Sequence, residues 1–351
     1  MLTLSLPHKV LDYACPINGL EDLYERKTGQ RLPGYTLMDL SNIGFMYIRH
    51  SLAPAPRMIN WGNGMGKAQY EFLADVIGYQ WTTHAGGSFK NAWKAVLAEL
   101  QQGNPAIIGL LDMYHLPYFK KFYRRVHIPQ HFVLLVGYDE TREMALVQDT
   151  SLAEIQEVPL RDLQLAWNVN SPGQGKPYTY YHIQFNDQVA GLEQIVSKGL
   201  AKRAQVFLHD QNSRFGLQAM RKASRDVNNW RKDLTAEQFK ASLEFLAMFT
   251  CSVVPNMPQA MLPYPLGYTD KHQAVRERFA ADLLRFAEQY QQPRWTEAAQ
   301  LFQQSGQHIE TLTDITVQTL QGDVSAFDQA GSILEKIAEL ETQAFAKLLP
   351  T

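Results

Sequence analysis

Cysteine is nearly absent from this chain: its 351 residues hold two, Cys15 and Cys251. Thiols so few and so far apart supply no disulfide framework and suit a reducing compartment, so a cytoplasmic protein is expected. Charge of either sign is not in excess, because 33 Lys and Arg face 35 Asp and Glu for a net charge of −2. With no basic stripe, a nucleic-acid partner is not expected. No stretch approaches the ~20 apolar residues that span a bilayer, so no membrane partner is expected. The opening segment Met1 to Pro7 lacks the basic region and the apolar length of a signal peptide. Internal repeats of fixed period and low-complexity tracts are missing too. The glycine-rich Trp61 to Ala68 lacks the first glycine of a phosphate loop at the required spacing, and Ala68 stands where a hydroxyl residue would hold magnesium. It reads as a turn before a helix over Gln69 to Ile77.

The chain has apolar residues in quantity, 45% of the total with 11% aromatic. That is enough for one large core or two moderate ones, and the length favours two domains. The pattern changes near residue 186. Before it, short β-rich segments alternate with helices, and the Pro/Gly-rich loop Asn170 to Pro177 precedes a strand over Tyr178 to Phe185. After it, helical periodicity runs through Asp187 to His209, Phe215 to Trp230, Thr235 to Val254, His272 to Tyr290, Thr296 to Leu320 and Val324 to Leu349. The expected fold class is therefore α+β, with a mixed domain over residues 1–185 and an all-helical domain over 186–351. Cys251, inside the apolar run Phe245 to Val254, reads as core.

Cys15 precedes Pro16, and Ile17, Leu20, Leu23 and Tyr24 follow at helical spacing, with Lys27 in the last turn and Gly29 as the stop. Proline is favoured at the first helical position, which makes Cys15 the expected N-cap. A thiolate there would face free backbone N–H groups and the positive end of the helix dipole, which lower a cysteine pKa from ~8.5 towards roughly 3.5–7.5. The plain alternative is a small buried hydrophobe, since a Cys-Pro pair alone proves little.

A nucleophilic thiol needs a base and a group to orient that base. The β-rich run Gln130 to Asp139 and the second run Met144 to Asp149 are separated by a short polar connection. Folded as a hairpin centred near Glu140, they place His131 opposite Asp149 and Val133 opposite Val147, with both polar side chains on one face. Cys15, His131 and Asp149 are thus the candidate catalytic residues; an ordinary hairpin whose His and Asp cap its ends is the competing reading. Asp112 with His115, His127 and His131 offers a metal set, with His127 and His131 on one face if the strand extends that far. His131 is better used by the catalytic set, so no metal and no cofactor are expected. The aromatic cluster Tyr114, Tyr118, Phe119, Phe122 and Tyr123 reads either as core packing or as the lining of a cleft. Asp112, Tyr114, Tyr118 and His127 are assigned to substrate binding.

The run Gly103 to Tyr118, followed by His127, the His131 strand, Gly137-Tyr138-Asp139 and Asp149, resembles the N-terminal domain of the butirosin biosynthesis protein H family. Residues from Asp12 to about Trp167 match in order and spacing. The chain departs from the family pattern at Ala14, where a His is usual, and over Asp39 to Phe45, where a glycine-rich segment is usual. The resemblance implies a papain-like cysteine acyltransferase, similar in architecture to the double-glycine leader peptidases, with Cys15 as nucleophile, His131 as base and Asp149 orienting it. It implies transfer of an acyl group from an acyl-carrier protein or other thioester donor to a small-molecule amine. Phe215 to Met220 resemble the helical domain that often follows. A thiol hydrolase or peptidase of the same fold is the alternative, as is a catalytically inactive binding module whose helical half serves a partner or a homodimer. The one charge cluster, Lys120 to Arg125, reads either as a solvated face or as a contact for an acidic carrier.

Overall fold

The computed structural model describes all residues except 12–13, 54, 64–65, 172–174, 211, 249, 251–273 and 351, and leaves the side chain of Met248 undescribed. The expectation for Cys251 lies outside the described residues. Backbone contacts divide the chain into two units, Met1–Met38 with Met65–Leu192, and Asp39–Gly64 with Glu193–Thr351.

The first unit is built on an antiparallel sheet. Its elements are β1 (Leu2–Thr3), α1 (Leu20–Thr28), the first part of α2 (Thr36–Asn42), and, after the hairpin β2 (Ile43–Arg49) and β3 (Arg57–Gly62) of the other unit, α3 (Lys67–Ile77) and β4 (Tyr79–His84). Then follow α4 (Phe89–Gln101), β5 (Ala106–Leu111), β6 (His131–Asp139), β7 (Met144–Gln148), β8 (Gln156–Pro159), α5 (Leu160–Ala166) and β9 (Tyr180–Phe185). The strand order is β4-β9-β5-β6-β7-β8, with β1 paired to the far end of β6 on the β5 side. One face packs on α4 and α5 through Trp93, Val96, Leu100, Leu163, Ala166 and Trp167 against Ile108, Val133 and Leu135. The other face meets α3, where Tyr70 stacks on Tyr181 and meets Phe132 edge-on. Covered on both faces, β6 is a continuous buried run from His131 to Gly137 rather than an alternating one.

The second unit holds the β2–β3 hairpin and α6 (Leu192–His209), α7 (Gly216–Asp226), α8 (Trp230–Asp233), α9 (Ala236–Met248), α10 (Arg276–Gln289), α11 (Pro293–Leu320) and α12 (Ala330–Leu348). These helices overlap the spans that periodicity predicts; the single helix expected over Phe215 to Trp230 is instead α7, a 3-10 turn over Val227–Asn229 and α8, and the expected ends at Val254 and His272 lie outside the described residues. The division differs from the expected 1–185 and 186–351: the break falls after Leu192, and Asp39–Gly64 groups with the helices. The reason is side-chain chemistry. Arg276 is fully buried and donates to the carbonyls of Trp61 (2.8 Å) and Gly44 (2.7 Å), and Arg203 donates to the carbonyls of Leu40 and Ser41. Two buried guanidinium groups take carbonyls of the Asp39–Gly64 segment as acceptors, Arg203 at the end of α2 and Arg276 in the hairpin, which a hydrophobic pattern does not record.

Candidate active site

Cys15 does not cap an α-helix. It opens a 3-10 turn, Cys15–Ile17, with Ala14 as the cap, and the chain then breaks at Asn18 and Gly19 before α1 begins at Leu20. The expected helix end at Gly29 is present, as a left-handed cap whose N–H bonds to Glu25. Gly19 is the cause of the break. Its φ is +80°, and a Cβ there would lie 2.9 Å from the Cβ of Leu134, so the turn presses onto β6 at a position only glycine occupies without strain. The N–H groups of Ile17 and Asn18 bond to the carbonyls of Ala14 and Cys15, so the sequence argument from an α-helix dipole does not apply to this thiol.

The turn is fixed instead by side chains. Buried Asn18 donates through Nδ2 to the carbonyl of Phe132 (2.7 Å), the residue after His131, and its own carbonyl accepts from the Tyr70 hydroxyl (3.0 Å). Upstream, Leu11 N–H bonds to the Thr150 carbonyl (2.7 Å). His8 Nδ1 meets Asp22 at 2.8 Å, while Nε2 meets the carbonyl oxygens of Leu152 (2.8 Å) and Asp149 (3.2 Å). The segment that carries the thiol is thus laced to the strand of His131 and to the residues at and after Asp149.

His131 and Asp149 meet. The ring Nε2 lies 2.5 Å from Asp149 Oδ2, with His131 2% and Asp149 0% exposed. The register that achieves this is not the expected one. Val147 lies opposite Leu135 instead of Val133, Gln148 lies opposite Leu134, and a bulge falls between Leu135 and Gly137. Without that bulge, the pairing of Asp139 with Met144 would carry Asp149 opposite Leu134, on the wrong face; the extra residue restores the parity. Asp149 then continues opposite Val133, two residues from His131 on the same face, and the pair meets as diagonal neighbours. An even displacement preserved what the sequence predicted.

Burial alone would raise the pKa of Asp149, but the charge and hydrogen bond of His131, the Ser151 N–H (3.0 Å) and the Tyr118 hydroxyl (2.9 Å) hold it below the ordinary value. The ionised carboxylate accepts, so Nε2 carries hydrogen. For His131, burial lowers the pKa, and the charge and hydrogen bond of Asp149 with the neighbouring Cys15 side chain outweigh it, raising the value to about 10. Nδ1 is the ring nitrogen that the carboxylate does not use. It is buried and has no hydrogen-bond partner among the described residues, and the Cys15 side chain is one of the groups that raise the His131 pKa. Phe119 closes the ring edge-on, 5.0 Å between centroids.

The residues assigned to substrate binding separate into two groups. Tyr118 serves Asp149. Asp112, Tyr114 and His127 are joined to one another: Asp112 Oδ1 accepts from the N–H groups of Tyr114 (3.1 Å) and Ile128 (2.9 Å), Oδ2 lies 2.6 Å from His127 Nδ1, and Tyr114 stacks on the His127 ring at 4.0 Å. β6 starts at His131, so His127 and His131 do not share a strand face. A cleft of about 550 Å³ lined by Arg26, Lys27, Glu99 and His182 includes none of Cys15, His131 and Asp149. Asn18 and His8 were missed by motif reasoning. The polar Asn18-Gly19 pair inside an apolar run was the available signal for the first; His8 carried none.

Both His8 nitrogens face acceptors, so the network requires the imidazolium. Burial lowers the His8 pKa, but Asp22 and the two carbonyls raise it further, to a net value above 6.5. Stabilisation from His8 is therefore complete below its unfolded pKa and is lost as pH rises through the raised folded value. His8→Ala is expected to cost about 2 kcal/mol at pH 6, the scale of charged hydrogen bonds. The difference from wild type should shrink with rising pH, measured by urea unfolding at each pH.

Residues 14–150 match the family described as butirosin biosynthesis protein H, N-terminal, and residues 161–251 match a domain of unknown function, DUF4872. No curated protein matches the chain.

Proposed function

Since the chain belongs to the butirosin biosynthesis protein H family, we propose that its first unit is a papain-like cysteine acyltransferase domain working through an acyl-thioester on Cys15. The observation that carries the reading is the buried His131–Asp149 pair, with one ring nitrogen on the carboxylate and the other left for Cys15. That is the division of labour that Cys-His-Asn/Asp catalysis requires.

In the first half-reaction the Cys15 sulfur bonds to the carbonyl carbon of a thioester donor. His131 takes the thiol proton and delivers it to the departing donor thiolate. In the second, an amine nitrogen attacks the acyl-Cys15 carbonyl, His131 accepts the ammonium proton and returns it to the Cys15 sulfur, and an amide leaves. Asp149 holds the imidazole orientation and balances its charge; Tyr118 and Ser151 hold Asp149. The donor is an acyl-carrier protein or a similar thioester. Lys120, Lys121, Arg124 and Arg125 are exposed on the segment that also carries Tyr118 and Phe119, and their charge suits an acidic carrier.

The test is the rate of Cys15 alkylation against pH, read by intact mass, for wild type and His131→Ala. Fast modification persisting well below pH ~8 and lost in the variant is expected. Acyl-thioester donors should then leave a mass increment on Cys15 that an added amine discharges. Discharge by water alone would make the protein a hydrolase, and an ordinary thiol profile unchanged by His131→Ala would make it a binding module.

A further inference from the structure

The excursion between β5 and β6 brings together three ligand-type side chains that the reaction does not use. Asp112 caps a 3-10 turn over Met113–His115. With three residues per turn, positions i and i+3 eclipse, so Asp112 and His115 project from the same side. The chain returns to them at its other end: Met113 N–H bonds to the Ile128 carbonyl (3.2 Å), Ile128 N–H to Asp112 Oδ1, and Arg124 N–H to the Tyr114 carbonyl (2.8 Å). His127 is thereby set beside the turn, and one ligand atom from each of Asp112, His115 and His127 lies within 4.8 Å of the others.

We propose that Asp112, His115 and His127 bind one divalent transition-metal ion of the zinc class. Two imidazoles and a carboxylate are the donor set of three-ligand zinc sites, which keep a further position for water. In the sequence, Asp112, His115, His127 and His131 offered one set, set aside because His131 is better used with Cys15 and Asp149; the structure keeps the first three together without His131. The supporting shell is already built. Two backbone N–H groups hold Asp112 Oδ1 and leave Oδ2 for the ion, and Tyr114 orients the His127 ring. Bonds of about 2.0–2.1 Å put tetrahedral ligand atoms ~3.3 Å apart, so the 2.6 Å contact between Asp112 and His127 opens slightly and the widest pair closes. His127, 65% exposed, is free to make that rotation.

The ion would tie both ends of the segment that carries Tyr118 onto Asp149 and Phe119 onto His131. The proposal does not depend on the acyl-transfer reading. Cys15, His131 and Asp149 are the competing zinc ligands, since a thiolate is the softer donor.

Zinc is the probe. The full chain is titrated against a chromogenic chelator at fixed pH, alongside Cys15→Ala, His115→Ala, His127→Ala and Asp112→Asn. One equivalent is expected, retained in Cys15→Ala and weakened by roughly tenfold or more in each of the other three. Absence of saturable binding overturns the proposal, as does one equivalent that disappears with Cys15→Ala and survives His115→Ala and His127→Ala. Thermal midpoints without zinc identify any variant that fails to fold, and His127→Ala, at an exposed position, carries the test if Asp112→Asn does so.

Discussion

Asp149→Ala should slow acyl-enzyme formation on Cys15 by roughly 10³–10⁴-fold, the scale seen when a triad's orienting group fails. The substitution removes more than a charge. It frees the His131 Nε2 hydrogen, leaves the Tyr118 hydroxyl and the Ser151 N–H without their acceptor, and withdraws the carboxylate that raises the His131 pKa to about 10. Asp149→Asn separates these effects. An amide oxygen still accepts from Nε2 and keeps the ring oriented, but the negative charge is gone, so the imidazolium is stabilised less. The loss of rate should be smaller than for alanine, and the alkaline limb of the pH–rate profile should move down, because the limb reflects deprotonation of an imidazolium that Asp149 no longer supports. The measurement is the rate of mass gain on Cys15 across pH for wild type and both variants. A limb that stays in place in Asp149→Asn would mean that the carboxylate does not control His131.

Glu341→Ala should lower the stability of the second unit by about 3–5 kcal/mol, the cost of leaving a buried charge without its partner. Arg276 and Glu341 are both fully buried, with Nε to Oε1 at 2.8 Å and Nη2 to Oε2 at 3.0 Å, and Ser305 adds a hydroxyl bond to Oε1 at 2.7 Å. The guanidinium also donates to Trp61, Gly44 and Ala274 and lies over the Trp61 ring. Every donor is in use, so removing Glu341 leaves a cation in a dry site while the hairpin contacts still hold it there. Replacing both members, Arg276→Met with Glu341→Leu, should be less damaging than Glu341→Ala, because no charge is then stranded. Urea midpoints of the single and double variants decide it. A double variant as unstable as the single would assign the loss to the hairpin carbonyls, which the methionine cannot satisfy, instead of to the unpaired charge.

The helices of the second unit were legible in the sequence because burial of one stripe every 3.6 residues is a local pattern that each helix carries alone. α11 and α12 end within a few residues of the expected positions, and the stop at Gly29 follows from one residue's tolerance of positive φ. That His131 and Asp149 share a face was legible too, since strand alternation depends only on parity. How they meet was not, because a one-residue bulge between Leu135 and Gly137 leaves no mark in composition and changes every pairing beyond it. The break at Asn18 and Gly19 arises from contact with Leu134, more than a hundred residues away. The grouping of residues 39–64 with the helices follows from where Arg203 and Arg276 find acceptors. Which histidine joins Asp112 and His127 depends on a three-residue turn and on the path of the loop back to Ile128. Periodicity and residue chemistry are written along the chain, so the sequence alone determined most of the helices and the parity that puts His131 and Asp149 on one face. Partners for buried polar groups are chosen across space, so only the tertiary structure decided which polar side chains meet.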